Sequence, residues 1–133
     1  MNEGWLGDEY LILFEDHEVP AVTKLYRLDE WLPEFAIVGL RGWDDFIVRD
    51  THGGTHTVPA VPLDRELLAP FDIPEHATLE PDDRYKGKIK WYVTPLVFGG
   101  DASTEDNVVW LDQEKHAALV AWWNAKYIEL AGS

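Results

Sequence analysis

The residues best equipped for chemistry in this chain sit in one short run, Asp50-Thr51-His52-Gly53-Gly54-Thr55-His56. His52 and His56 are four positions apart, the spacing that puts two zinc ligands on one face of a helix. Here they flank Gly-Gly, which between β-rich runs is a hairpin turn because both glycines take positive φ without steric cost. On a hairpin the helical spacing loses its meaning, so no metal and no cofactor is assigned. Asp44 and Asp45 are the next pair that could handle a proton, but neighbours on a strand point to opposite faces and do not share one. Ser103 lies in an acidic loop rather than on a strand-turn-helix elbow, and Gly99-Gly100-Asp101 lacks the lysine of a phosphate loop. His17, His76 and His116 have no local partner pattern. No catalytic residue is assigned, and the chain is read as a binding protein rather than an enzyme; a metal enzyme built on Asp50, His52 and His56 is the least favoured class.

The element that must position these residues is the stretch from Pro33 to Pro62, read as three strands, Phe35 to Leu40, Phe46 to Arg49 and Thr55 to Val61. Gly42 and Gly53-Gly54 supply the reversals. Pro59 and Pro62 lack backbone donors, so the third strand is expected at a sheet edge or to stop there. Before it, Glu3 to Gly7 reads as a turn anchored by Trp5-Leu6, and Tyr10 to Phe14 as a strand buried on both faces, since it does not alternate. Val19, Val22, Leu25 and Tyr26 recur at helical spacing, with Asp16 as cap and Pro20 in the first turn. Asp64 is expected to cap a turn through Leu68, and residues 70–83 form an irregular crossing.

Beyond the crossing, Arg84, Lys86, Lys88 and Lys90 alternate with Tyr85, Gly87, Ile89 and Trp91, which predicts a strand to Val93 with one basic face. Lysines of this kind protect a sheet edge more often than they bind a ligand. Pro95 to Phe98 is expected to extend the sheet, and Val108 to Leu111 is a further strand. Asp112 caps a long helix, Gln113 to Leu130, whose stripe is His116, Leu119, Val120, Trp123, Tyr127 and Leu130; Gly132 ends it. The sum is an α+β fold, a mainly antiparallel central sheet of about six strands with a short N-terminal helix and a long C-terminal helix packed on it. Residues 1–133 form one domain, divided into a meander half (1–69), a linker-like crossing (70–84) and a C-terminal unit (85–133).

Charge narrows the partner. The chain of 133 residues carries 25 acids against 11 Lys and Arg, a net charge of −14. Such a surface repels phosphate backbones, which argues against nucleic acid. Two readings of the acidity stand, solubility and attraction of a basic protein partner. No cysteine is present, which fits a reducing compartment. No leader pattern or membrane-length apolar stretch is visible, so a cytoplasmic location is expected. An exposed edge strand would allow a homodimer as well as a monomer.

The run NEGWLGDEYLILF, then a helix, then LPEFAIVGLRGWDDFIVRDT and VPAVPLD, resembles the SUKH superfamily, the cell-wall-assembly-regulator-like proteins that include many bacterial immunity proteins. Gly4, Leu6, Gly7, Tyr10, Leu11, Leu13 and Phe14 match its first part. Pro33, Phe35, Ile37, Gly39, Gly42, Phe46, Asp50, Val58 and Pro59 match its hairpin and following strand, and the run from Pro95 to Asn124 is similar to a C-terminal segment of the same group. The chain departs from the pattern before Gly4, where the family has a helical segment, and at Leu40 to Asp45, where Trp43 stands in place of glycine. That tryptophan is either a partner contact or a packed core residue. The resemblance implies an immunity protein that occludes a cognate toxin domain, such as a basic nuclease. Its partner-binding residues would be Trp43, Asp44 and Asp45, with Asp101, Glu105 and Asp106 on the polar loop. The alternative is a regulatory or adaptor domain with an endogenous partner.

Overall fold

A computed structural model describes residues 1–73, 78–101, 103 and 105–131; the expectations for His76 and Gly132 lie outside these. Six strands run in chain order as an antiparallel meander, β1 (Asn2–Leu6), β2 (Glu9–Leu13), β3 (Ala36–Arg41), β4 (Asp45–Arg49), β5 (Thr55–Pro59) and the two-residue β6 (Ala69–Pro70). Between β2 and β3 lies α1 (Val19–Leu25). A separate two-stranded sheet, β7 (Ile89–Tyr92) with β8 (Val108–Leu111), precedes the long helix α2 (Gln113–Ala131). The fold is thus α+β, as the sequence predicts.

The sheet buries both faces, and its strands follow from that. Tyr10, Ile12, Leu40, Phe46, Val48 and Val58 point into the main core with Val22, Tyr26, Leu28 and Leu32 around α1, Ile89 and Trp91 of β7, and Ala117 and Val120 of α2. Leu11, Val38 and Ile47 point the other way, where Leu79, Phe71 and Ile73 of the crossing cover them. The crossing is therefore the lid of a second, smaller core, which is why YLIL does not alternate. Ile37 and Leu40 share the main core although three residues apart; a register shift between Ile37 and Gly39 rotates the strand between them. A side chain at Gly39 would collide with the Ile12 carbonyl, its Cβ 2.4 Å from that oxygen.

Four local expectations are corrected. Glu3 to Leu6 is strand rather than turn, paired along its length with β2, and only Gly7 lies in a turn; Gly4 is needed where β1 meets Glu80, since a Cβ there would lie 2.5 Å from the Glu80 oxygen. Asp16 does not cap α1: Glu18 is the cap residue and its side chain is spent on Glu15 N and the Met1 ammonium. The lysine alternation forms strand only from Ile89, because Gly87 at φ 74 turns the chain and Lys88 N donates to the Tyr85 carbonyl. Pro95 to Phe98 is a 3-10 turn over Leu96–Phe98, not sheet, as Pro95 accepts from Phe98 N. The third meander strand stops at Pro59, one of the two outcomes its prolines allow, and is not outermost, because β6 pairs with it through His56 and Thr57.

The long helix is held as its cap predicts, Lys115 N donating to Asp112 Oδ1 at 2.8 Å. Its inner face is also pinned by two polar groups, of which Asn124 is absent from the expected stripe. Asn124 accepts from Leu63 N at 2.7 Å and donates to the Ala60 carbonyl at 2.7 Å and the Val120 carbonyl at 2.9 Å. His116, fully buried, pairs its Nδ1 with the Tyr26 hydroxyl at 2.8 Å. No helix among the described residues is long and apolar enough to cross a membrane.

Candidate functional site

The β3–β4 reversal, Gly42-Trp43-Asp44, is built by packing more than by turn propensity. Gly42 at φ 58 and Trp43 at φ 62 both lie in the left-handed region, where a bulky residue costs about 1 kcal/mol or more. The cost is offset because the turn is fastened: Gly42 N donates to the Tyr10 carbonyl at 2.7 Å, and Ala60 N to the Asp44 carbonyl at 3.0 Å. The Trp43 ring stacks on Tyr10 with centroids 4.6 Å apart and meets Trp110, Tyr85 and Trp5 edge-on at 5.1, 5.3 and 6.0 Å. Only 8% of Trp43 is exposed. Of its two readings the packed one describes this structure, so contact with a partner at the turn falls to the carboxylates.

Asp44 stands over a cleft of about 90 Å³ lined by Ala60, Val61, Trp91, Tyr92, Pro95 and Leu96. Lys90 Nζ lies 3.4 Å and the Tyr92 hydroxyl 3.5 Å from Asp44 Oδ2, and Lys90 Nζ is 3.1 Å from Tyr92 Oη. Some 44% of the Asp44 side chain is open to solvent. Burial of the remainder raises its pKa above the ordinary aspartate value, against the pull of Lys90 and Tyr92. Asp45 is raised too, by burial first and then by the Asp44 charge, with Arg41 opposing. Burial outweighs the cation in each case, so the surroundings of both carboxylates oppose their ionisation.

The polar loop joins this site through one side chain. Asn107 Oδ1 accepts from Thr94 N at 2.8 Å, and its Nδ2 donates to the carbonyls of Thr94 at 3.0 Å and Asp101 at 3.2 Å. The segment after Tyr92 is thereby tied to Asp101, whose carboxylate accepts from Ser103 N and Oγ. Glu105 and Asp106 are exposed in the following 3-10 turn. The chain between the two acidic groups is apolar and open: Val93, Leu96 and Val97 are each close to half exposed. Lys90, Tyr92 and Asn107 were missed as partners because each lies far from its contact in sequence; only the single basic face expected of β7 pointed towards Lys90.

The histidine hairpin is a structural turn. Asp50 Oδ1 accepts from His52 N at 2.8 Å and Gly54 N at 2.9 Å, while Oδ2 meets His56 Nε2 at 3.1 Å. These bonds, His56 first, hold the Asp50 carboxyl below its ordinary pKa. Among the described residues the cluster whose ligand atoms lie within metal-binding reach of one another is Glu15, His17 and Glu18. It is mostly exposed, and Glu18 Oε1 is already taken by Glu15 N and the N-terminus.

Fold and site together define an acidic α+β domain presenting the Asp44 carboxylate over a small cleft, with open apolar side chains beside it. Comparison with protein-family models, with curated proteins and with solved structures finds no match for the chain.

Proposed function

We propose that the protein is a non-enzymatic binder of a basic protein partner, and that this partner is a toxin domain which it neutralises by covering it. The observation that carries the reading is Asp44 above the cleft, with Asp45 next to it in the chain and exposed Leu96 and the neighbouring Val93 and Val97 at its margin. Open aliphatic surface edged by partly exposed charge is the anatomy of an interface, apolar at its centre and polar at its rim. A carboxylate kept charged where burial resists it is relieved when a cation docks against it. The net charge of −14 would steer a basic partner in, so association should slow as salt rises. Asp101, Glu105 and Asp106 extend the acidic face, and the resemblance to SUKH immunity proteins supplies the choice of a toxin.

The test is co-expression with the toxin encoded by the neighbouring gene. Growth should be rescued by the intact protein and lost with Asp44→Lys/Asp45→Lys, whose thermal transition should match that of the parent. Absence of rescue by the intact protein overturns the proposal.

A further inference from the structure

The outer face of α2 carries an apolar seam that the described residues leave open. Lys115, Ala118, Trp122, Ala125 and Glu129 are all exposed, and their spacing of 3, 4, 3 and 4 is the heptad pattern of a helix that packs along another helix. Trp122 is 57% exposed, the most open large apolar side chain among the described residues. Beside it runs a groove of about 450 Å³ floored by Ala117, Ala118, Ala121 and Ala125 and walled by Leu25 and Arg27. Alanines bring the backbone near the surface, and a bulky side chain from outside fits the space they leave. A helix apolar on both sides is ordinarily buried on both sides.

We propose that α2 is the seam of a symmetric homodimer, two copies packing their α2 helices antiparallel about a two-fold axis at Trp122. The charges choose the occupant and its direction. Lys115 and Glu129 lie seven residues to either side of Trp122, so antiparallel pairing sets Lys115 of each copy against Glu129 of the other, twice by symmetry. Parallel pairing sets lysine on lysine, glutamate on glutamate, and the helix dipoles side by side. Lys115 has no ion pair among the described residues, and Glu129 makes only an exposed contact to Lys126 at 3.8 Å. With Glu114 and Lys126, the face holds two acids and two bases, so two such faces meet without the repulsion expected of a chain at −14. Each Trp122 then fills the alanine groove of the opposite copy.

Sedimentation equilibrium of the full chain should give a dimer, and Trp122→Glu a monomer that melts as the parent does at concentrations too low for the parent to dimerise. Lys115→Glu, which turns two attractions into repulsions, should weaken the dimer about tenfold, and adding Glu129→Lys should restore it. Because the protein has no cysteine, direction can be read by oxidation: a mixture of Lys115→Cys and Glu129→Cys chains should cross-link to one another, and Lys115→Cys alone should not. A chain that stays monomeric at concentrations of about 1 mM, far above a micromolar dissociation constant, overturns the proposal. So does a dimer that survives Trp122→Glu, or cross-linking of Lys115→Cys with itself.

Discussion

Two tryptophans exchange the roles their sequence settings suggest. Trp43 stands in Gly-Trp-Asp-Asp, a polar turn, and reads as a surface contact as readily as a core residue. Trp122 lies in an apolar helical run and reads as packing. In the structure Trp43 is enclosed by four aromatic rings and Trp122 is open. Local polarity reports the neighbours along the chain, whereas burial is decided by what the fold lays across them. At Trp43 that is β1, Tyr10, Tyr85 and Trp110; at the outer face of α2, among the described residues, it is Leu25 and Arg27 at the end of α1.

The largest expected effect breaks the first half of this comparison. Trp43→Ala should cost about 4 kcal/mol, seen as a fall in melting temperature of roughly 15 °C; a fall of only a degree or two would return Trp43 to the interface. The second effect sharpens the contrast between the two faces of α2. Burial holds the His116 pKa down at about 4, against 6.5 for a free imidazole. The unfolded chain therefore takes up a proton as pH falls below 6.5 while the folded chain resists until about 4, so stability is lost through that window, by up to about 3 kcal/mol. His116→Phe should flatten the slope of denaturation midpoint against pH between these values; an unchanged slope would mean that His116 is not held neutral. Third, Asn124→Leu leaves the Leu63 N–H and Ala60 carbonyl unpaired and should cost about 2 kcal/mol in urea denaturation. A neutral outcome would place the attachment of α2 in apolar packing alone. The smallest effect belongs to the outer face: at concentrations too low for the chain to dimerise, Trp122→Ser should change stability by less than about 0.5 kcal/mol, and a loss comparable to that of Trp43→Ala would erase the comparison.

The meander was legible because its signals are local. Gly42 and Gly53-Gly54 mark reversals directly beside β3 and β5 and a few residues from β4, and Asp112 announces α2 with a cap bond only three residues long. The C-terminal unit was harder, because cues that belong to the next contact look like cues for the next residue. Arg84 to Lys90 alternates like a strand, yet Gly87 bends it and Asp82 captures Arg84. Of the candidate site, the Asp44–Asp45 pair was legible as an unusual turn. Its partners were not: Lys90 and Tyr92 approach it across 46 and 48 residues, and no spacing rule operates at that range. Tyr26 with His116, 90 residues apart, is invisible for the same reason.

The packing of Trp5, Tyr10, Trp43, Tyr85 and Trp110 has an optical consequence. Transition dipoles of rings 4.6 to 6.1 Å apart, some stacked and some edge-on, couple into shared excitations whose rotational strength depends on their mutual angles. The turn that carries Asp44 thus has a built-in chromophore. A partner that shifts Trp43 by a few degrees would rewrite the exciton bands of the circular dichroism spectrum without any label attached.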